Sequence, residues 1–198
     1  MYIATWFLLQ ISIYHHAIGL IMPPWAKEDK FGKHQDAWKT LNHCKRTPYY
    51  LVKSTTPINY YLYNSNTTCV KLKAIKTYPT NKTAKLRLTY EKSGRRYRAE
   101  IEVQAKRRHG YQHTYNVIDF LRKGGVWFSE EIIYTYKLEC ALFNFPFRGN
   151  RQGCELWVAE NNIKDIPDIC IFMFDYICQQ YTSVNVYNST CTKNMRRQ

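Results

Sequence analysis

The sequence predicts an all-β fold, an eight-stranded antiparallel barrel with a short N-terminal helix and a C-terminal helix packed on its outside. Eight segments rich in β-branched or aromatic residues follow one another along the chain, separated by turn residues. Several of them alternate apolar and charged residues with the period of two that a strand requires. Closing eight strands into a barrel removes exposed sheet edges and leaves room inside for one small ligand.

The start of the chain differs in composition from the rest. The first twenty residues contain no Lys, Arg, Asp or Glu, and they are mainly apolar up to Ile13. Small residues at Ala17 and Gly19 suit a cleavage site. We therefore expect residues 1–19 to be a secretory signal peptide and residues 20–198 to form a single domain.

Two further features agree with secretion. The chain has 7 cysteines, which form disulfides in oxidising compartments. Asn-x-Thr sequons at Asn66, Asn81 and Asn188 predict N-glycosylation. No second long apolar run follows the first, so we expect a secreted, extracellular protein that is not held in a membrane.

The predicted elements follow in order. Lys33 to Leu41 is expected to be a short helix, with Asp36 near its start and Trp38 and Leu41 on the buried stripe. Eight strands are predicted after it: Tyr49 to Ser54, Cys69 to Lys76, Lys85 to Tyr90, Arg96 to Lys106, Tyr115 to Leu121, Val126 to Tyr136, Leu138 to Phe143 and Glu155 to Ala159.

A C-terminal helix is expected from Asp168 to Tyr181, opened by Pro167. Its apolar residues recur at three- and four-residue spacings, which is typical of a helix with one face packed on the barrel wall. The residues on that predicted face are Ile169, Phe172, Met173 and Tyr176.

The charge of the chain is large and unevenly distributed. The formal net charge is +14, and between Lys71 and Arg108 thirteen Lys or Arg stand against three Glu, which leaves +10. In the third and fourth predicted strands the charged and apolar residues occupy opposite faces. The sequence therefore predicts a basic outer surface that attracts polyanions such as heparin-like glycans, nucleic acid or anionic membranes. A solvated charged face without a partner is the structural alternative.

One short stretch combines an acid with an indole. In Gly153 to Val158, alternation places Glu155 and Trp157 on one face of a strand and apolar residues on the other. If that face points into a cavity, it suits an organic cation through charge pairing and cation–π attraction. A core Trp beside a rim Glu is the structural alternative.

Several short segments together resemble the tick salivary lipocalins of the histamine-binding type. They are His34 to Leu41, Tyr49 to Lys53, Thr68-Cys69-Val70, Cys140, Glu155-Leu156-Trp157, Ile166-Pro167 before Cys170, and Asn188 to Cys191. The resemblance implies a secreted eight-stranded barrel with a helix at each end. It also implies sequestration of a small host mediator, either a biogenic amine such as histamine or serotonin or a lipid such as a leukotriene, which suppresses host defence.

The resemblance carries over two disulfides by position, Cys69 with Cys191 and Cys140 with Cys170. For the remaining cysteines we expect Cys44 to pair with Cys178, because the chain entering the first strand would lie beside the C-terminal helix. Cys154 would then stay free in a monomer or link two molecules in a dimer.

The amine-binding pattern of the family is incomplete here. Its acidic Cys-Asp step reads Cys140-Ala141 in this chain, and the region before Cys69 reads Asn59 to Tyr63, without the Asp and Trp of relatives. Losing carboxylates is expected to weaken amine binding, because a buried ammonium must be paired. The candidate ligand-binding residues are Glu155, Trp157, Glu131, Phe120, Trp127, Phe128, Tyr60, Tyr63 and Tyr90.

Two other hypotheses remain. A largely uncharged interior lined by Leu86, Leu88, Tyr90, Tyr97, Ile101 and Val103 would accept a fatty acid or leukotriene, its carboxylate near Arg107, Arg108, His109 and His113. A protein- or glycan-binding antagonist would use the basic outer face instead. No catalytic motif or metal-ligand spacing is present in the sequence, so we expect no enzyme activity, cofactor or metal.

Overall fold

The computed structural model describes residues 23–55, 67–146 and 152–191. Eight antiparallel strands form a closed barrel, in which each strand from β2 to β8 pairs with the next and β1 pairs with both β8 and β2. The predicted eight-stranded barrel is thus confirmed. The strands are β1 (Tyr49–Ser54), β2 (Thr67–Tyr78), β3 (Thr83–Lys92), β4 (Arg95–Lys106), β5 (Val117–Arg122), β6 (Gly125–Tyr136), β7 (Cys140–Pro146) and β8 (Gln152–Ala159).

The barrel interior is filled by the apolar face that alternation predicts. Leu86 and Leu88 of β3 and Val103 of β4 are each at most 2% exposed, while the charged residues between them face outward. Burying each such side chain stabilises the fold by about 1.5–3 kcal/mol relative to leaving it exposed. The alternation therefore fixes which face of these strands meets the interior, because a one-residue slip would turn the charges inward.

A helix closes one end of the barrel. After α1 (Glu28–Phe31) and a short 3₁₀ turn, α2 spans Ala37–Arg46. The Asp36 carboxylate caps it by accepting a 2.9 Å hydrogen bond from the backbone N–H of Lys39, as the sequence predicts. The helix therefore begins four residues later than predicted, because the chain before Asp36 forms the 3₁₀ turn instead.

One face of α2 enters the interior. Ala37, Leu41 and Cys44 are buried there, at the spacing of residues that share a helix face. Trp38 is half-buried and packs against the same cluster at its margin, with the ammonium of Lys82 lying 5.1 Å from its ring centre. The opposite end of the barrel carries no helix among the described residues.

The C-terminal helix α3 (Asp168–Cys178) packs on the outside of the barrel against β7 and β8, as predicted. Its buried face consists of Cys170, Phe174 and Cys178, four residues apart. Phe172 and Tyr176, which the sequence places on the packed face, are 59% and 65% exposed. Disulfides at Cys170 and Cys178 turn the helix so that these two rings face outward.

Three disulfides join the elements. Cys69–Cys191 and Cys140–Cys170 are the two pairs that the family resemblance implies. The third joins Cys154 of β8 to Cys178 of α3, so the predicted pairing of Cys44 with Cys178 is wrong. Alternation turns Cys154 outward toward α3, whereas Cys44 points from α2 into the barrel and is a free, buried thiol. Cys154 is therefore not available to link two molecules.

Smaller features complete the described chain. A ninth strand, β9 (Val184–Asn185), pairs with β1 and was not predicted. The sequon residues Asn81 and Asn188 are exposed, whereas Asn66 lies outside the described residues, as does the predicted signal peptide. Within the described ranges, no helix combines the length and the apolar character needed to cross a bilayer.

Candidate ligand-binding site

A small cavity of about 40 Å³ lies inside the barrel beneath α2. Its wall is almost wholly apolar, and Glu130 is the one acidic residue in the described part of that wall. The helix contributes three of the lining residues, and the strands contribute the others. The lining consists of Thr40, Leu41, Cys44, Tyr49, Leu72, Leu86, Ile118, Phe120, Glu130, Ala141, Phe143 and Trp157.

Strand β8 brings an acid and an indole to the interior. Trp157 and Glu155 are each 3% exposed, and Trp157 belongs to the interior cluster, whereas Leu156 and Val158 pack outside against α3. The indole Nε1 of Trp157 donates a 2.9 Å hydrogen bond to Oε2 of Glu155. The two faces of this strand are therefore those that alternation predicts.

Strand β6 supplies the second interior carboxylate, and it is Glu130 rather than the predicted Glu131. Ile132 lies in the interior cluster, so alternation turns Glu130 inward and Glu131 outward. Glu131 accordingly lies 3.0 Å from Nε2 of His109 and accepts a 3.5 Å hydrogen bond from the amide of Asn144. Of the two adjacent acids, Glu130 lines the cavity and the predicted ligand-binding residue Glu131 does not.

Glu130 and Glu155 form an electrostatically coupled pair. Burial raises the pKa of Glu155 to about 7, although its hydrogen bond from Trp157 acts in the opposite direction. Burial raises the pKa of Glu130 well above its ordinary value, and the charge of Glu155 raises it further. Two buried carboxylates that repel each other retain a proton near neutral pH, and a cation bound beside them would favour full ionisation.

The predicted aromatic residues divide between the interior and the barrel rim. Phe120 lines the cavity, and Phe128 stacks on it with a centroid separation of 4.2 Å. Trp127 does not line the cavity. The strand register shifts beside Phe120, and the guanidinium of Arg122 lies 4.1 Å from the Trp127 ring centre.

The tyrosines of the candidate set lie away from this cavity. Tyr90 packs partly against the interior cluster and stacks on Tyr97 at 5.4 Å, but it is not one of the lining residues. Tyr60 and Tyr63 lie outside the described residues. The structure thus brings Glu155, Trp157 and Phe120 together, adds Glu130, and leaves Tyr90 at a distance along the interior.

Ala141 stands at the position of the acidic residue in the amine-binding pattern of the family. Ala141 lines the cavity and pairs across the sheet with Trp157. An acid at this position would lie beside the indole, so its replacement by Ala removes one carboxylate from the wall. Glu130 restores a carboxylate from another strand. No motif in the sequence marks Glu130, and only the alternation of Phe128, Glu130 and Ile132 along β6 indicates its direction.

The basic residues of the loop between β4 and β5 contact other residues of the protein. Arg108 donates hydrogen bonds of 2.9 Å to Asp119 and 2.8 Å to Ser129. His109 contacts Glu131, as described above, and the guanidinium of Arg107 lies 4.4 Å from the ring centre of Tyr115. The backbone N–H of His113 donates a 2.8 Å hydrogen bond to Glu28. These contacts fasten the loop to the barrel and to α1.

Two other titratable groups face the cavity. Burial raises the pKa of the Cys44 thiol to about 11, and its sulfur lies 3.6 Å from the carbonyl oxygen of Leu72. Burial also raises the pKa of Tyr49, whose hydroxyl donates a 2.6 Å hydrogen bond to the carbonyl of Leu138. Both groups stay neutral at physiological pH, so among the described lining residues the charge of the cavity depends on Glu130, whose ionisation the nearby Glu155 opposes.

Comparison with known proteins identifies relatives of the whole described barrel. Residues 25–193 match the family described as tick histamine binding protein. A male-specific histamine-binding salivary protein of Rhipicephalus appendiculatus is 28% identical over 185 residues, which cover 86% of this chain and 88% of that protein.

Two solved structures share the fold. The AM182–serotonin complex has a TM-score of 0.59 at 17% identity and covers 82% of this chain and 95% of that one. Japanin from Rhipicephalus appendiculatus, bound to cholesterol, has a TM-score of 0.54 at 16% identity and covers 73% of this chain and 95% of that one. The closed barrel with its two helices is a lipocalin fold.

Proposed function

Because the chain belongs to the tick histamine-binding protein family, we propose that it binds a biogenic amine, histamine or serotonin, inside its barrel. Glu130 and Glu155 pair with the ammonium group, and the indole of Trp157 forms the adjacent wall. The protein acts as a secreted salivary scavenger that lowers the free concentration of the mediator and so suppresses host defence. It works as a monomer without a cofactor.

The observation that carries this proposal is the pair of buried carboxylates on the inward faces of β6 and β8. An ionised carboxylate in an apolar wall costs several kcal/mol unless it is paired. A cationic ligand offsets that cost for both glutamates, and an indole face contributes about 0.5–2 kcal/mol of cation–π attraction. An apolar barrel that served only as a scaffold would gain nothing from holding two such acids.

The size of the cavity favours a single small ligand. A volume of about 40 Å³ accommodates a few water molecules. An aromatic amine therefore requires neighbouring side chains to move, among them Phe120 of the lining, which stacks on Phe128. We expect one amine per barrel, since the described interior holds one acidic pair.

A lipid mediator fits this interior less well. The carboxylate of a leukotriene or fatty acid placed in the cavity would meet Glu130 and be repelled when that residue is ionised. Arg108 and His109 already contact Asp119 and Glu131 on the outward face. The amine is therefore the ligand class that the charges of the described residues favour.

Secretion is part of the proposal. The matched Rhipicephalus protein is described as salivary, and Asn81 and Asn188 are exposed, as glycosylation sites must be. Expression of the full chain in eukaryotic cells is expected to release a protein that lacks residues 1–19 and carries enzymatically removable glycans. Retention of the full-length chain inside the cells would contradict this part of the proposal.

Calorimetric titration tests the ligand class directly. The disulfide-intact protein is titrated in parallel with histamine, serotonin and leukotriene B4 at physiological salt. Saturable binding of an amine, weakened at least about tenfold by Glu155→Gln, is the expected result, because loss of a buried charged partner costs about 2–5 kcal/mol. Binding of the leukotriene alone, or of no ligand, would contradict the proposal.

A further inference from the structure

The outward faces of β2, β3 and β4 form a basic groove of about 470 Å³, remote from the interior cavity. The basic groove is lined by Lys71, Lys73, Arg87, Thr89, Arg96, Tyr97 and Arg98. Five of these seven residues are cationic and none is acidic. The neutralising carboxylates stand at its edges, where Glu160 pairs with Lys71 at 2.7 Å, Glu91 with Arg96 at 3.4 Å and Glu100 with Arg87 at 3.3 Å.

Like charges face each other directly across the first two strands of this surface. Lys73 of β2 is the cross-strand partner of Arg87 of β3, and Lys76 is the partner of Lys85. Such pairs destabilise a sheet when no anion lies between them. Glu100 reaches Lys85 and Arg87 from β4, but in the described part of the chain Lys73 forms no ion pair. An external anion would remove the repulsion that remains.

The guanidinium of Arg87 has an N–H group that donates no hydrogen bond to the described residues. Its Nε is buried and has no hydrogen-bond partner among the described residues, and one of its terminal nitrogens donates a 3.3 Å hydrogen bond to Glu100. A guanidinium recognises an oxyanion group through two parallel N–H donors. Arg98 is exposed, and its guanidinium lies 3.8 Å from the carboxylate of Glu100, which also contacts Lys85 and Arg87. This longer contact holds the Arg98 side chain weakly.

We propose that the basic groove binds a sulfated polysaccharide. The cations extend along β2 from Lys71 to Lys76, five residues or about 17 Å, which matches a ligand with repeated oxyanions better than a single ion. Binding of a single-stranded nucleic acid usually combines such a charged surface with aromatic side chains on which the bases stack. Tyr97 is the one aromatic residue in the described lining, and it is already stacked on Tyr90 at 5.4 Å.

This function is independent of the amine site, because the groove and the cavity lie on opposite faces of the barrel wall. Retention on sulfated chains at a tissue surface would keep the protein where its small ligand is released, without occupying the interior. The two sites are therefore expected to bind their ligands without affecting each other.

Heparin binding by the full protein tests the proposal. Affinity is measured over a series of salt concentrations for the wild type and for the double variant Lys73→Gln/Arg98→Gln. The expected loss is about tenfold or more at physiological salt, with a slope of log K against log salt that is smaller by about two. The matched control is Lys33→Gln/Lys45→Gln, which removes the same charge from two exposed residues outside the groove.

Three results would overturn the proposal. They are an equal loss of affinity in the control variant, equal binding of desulfated heparin, and tighter binding of single-stranded DNA of the same length. Thermal unfolding is measured in parallel, and Arg98→Gln alone replaces the double variant if the latter fails to fold. Serotonin titration of the groove variant is expected to match that of the wild type, so failure of the glycan site and failure of the amine site remain distinguishable.

Discussion

The indole of Trp157 donates its N–H to the carboxylate of Glu155 across 2.9 Å inside the barrel. Both residues lie on β8, two positions apart, so the strand itself holds the donor and acceptor on one face. The hydrogen bond engages Oε2 of Glu155. It also fixes the plane of the indole beside the acid, which orients the aromatic wall toward the same ligand.

Amine affinity is expected to rise with pH through the neutral range. The raised pKa of Glu155, about 7, means that the pair must release a proton when a cation binds. Serotonin suits the test because its ammonium keeps its charge throughout. Its affinity is expected to rise by about tenfold or more between pH 5.5 and pH 7.5. The control variant Glu131→Gln is expected to show the same pH dependence as the wild type. A wild-type affinity that does not change with pH would mean that the carboxylates do not contact the amine.

The same pair is expected to make the ligand-free protein less stable as pH rises. The pKa of Glu155 is raised from 4.5 in the unfolded chain to about 7 in the folded protein, so the folded state holds more protons in this window. Its contribution to stability is present below pH 4.5 and is lost as pH rises through 7. Urea unfolding at pH 5 and pH 8 is expected to show a fall of about 3 kcal/mol that Glu155→Gln removes. An unchanged pH dependence in this variant would contradict the burial of an ionisable acid.

Gln35 is expected to stabilise the closed end of the barrel. Its side-chain amide donates 2.9 Å hydrogen bonds to the carbonyls of Trp25 and Ile133 and accepts one from the Tyr111 hydroxyl. Gln35→Met keeps the volume but removes these three hydrogen bonds, two of them buried, with an expected loss of about 2–4 kcal/mol in the free energy of unfolding. The control Gln112→Met changes an exposed residue and should cost less than about 0.5 kcal/mol. Equal effects of the two changes would refute this role.

Cysteine chemistry provides a test of the disulfide arrangement. Peptide mapping is expected to recover Cys154 linked to Cys178, with Cys44 as the single thiol that reacts after unfolding but not before. The double variant Cys154→Ser/Cys178→Ser is expected to lose about 2–4 kcal/mol of stability by urea unfolding. Recovery of a peptide that joins Cys44 to Cys178 would contradict the arrangement.

Most of the fold could be predicted because its signals are periodic. The alternation in β3 and β4 identifies the buried face, and Asp36 marks the start of α2 within the chain. The rotation of α3 could not be predicted from its apolar residues, which recur on more than one face. The Cys140–Cys170 and Cys154–Cys178 disulfides determine that rotation, and they depend on which cysteines the closed barrel brings together.

The candidate site could be predicted only in part. Glu155 and Trp157 can be assigned to one face of a strand from the sequence, because they alternate with the apolar residues Leu156 and Val158. Glu130 and Glu131 are adjacent acids that point to opposite faces of β6. Choosing between them requires knowing which face points into the barrel, and the mixed sequence of β6 does not determine this alone. The interaction between Glu130 of β6 and Glu155 of β8 is a tertiary relationship, so the sequence offers no signal for it.

The most direct test of the interior acidic pair compares Glu130→Gln with Glu131→Gln in serotonin titration at pH 7.5. The two changes are chemically identical and adjacent in sequence, but one side chain faces the cavity and the other contacts His109 outside. Binding is expected to weaken at least about tenfold in Glu130→Gln and to stay within about twofold of the wild type in Glu131→Gln. Equal binding by both variants, or a loss confined to Glu131→Gln, would contradict an amine site built on Glu130 and Glu155.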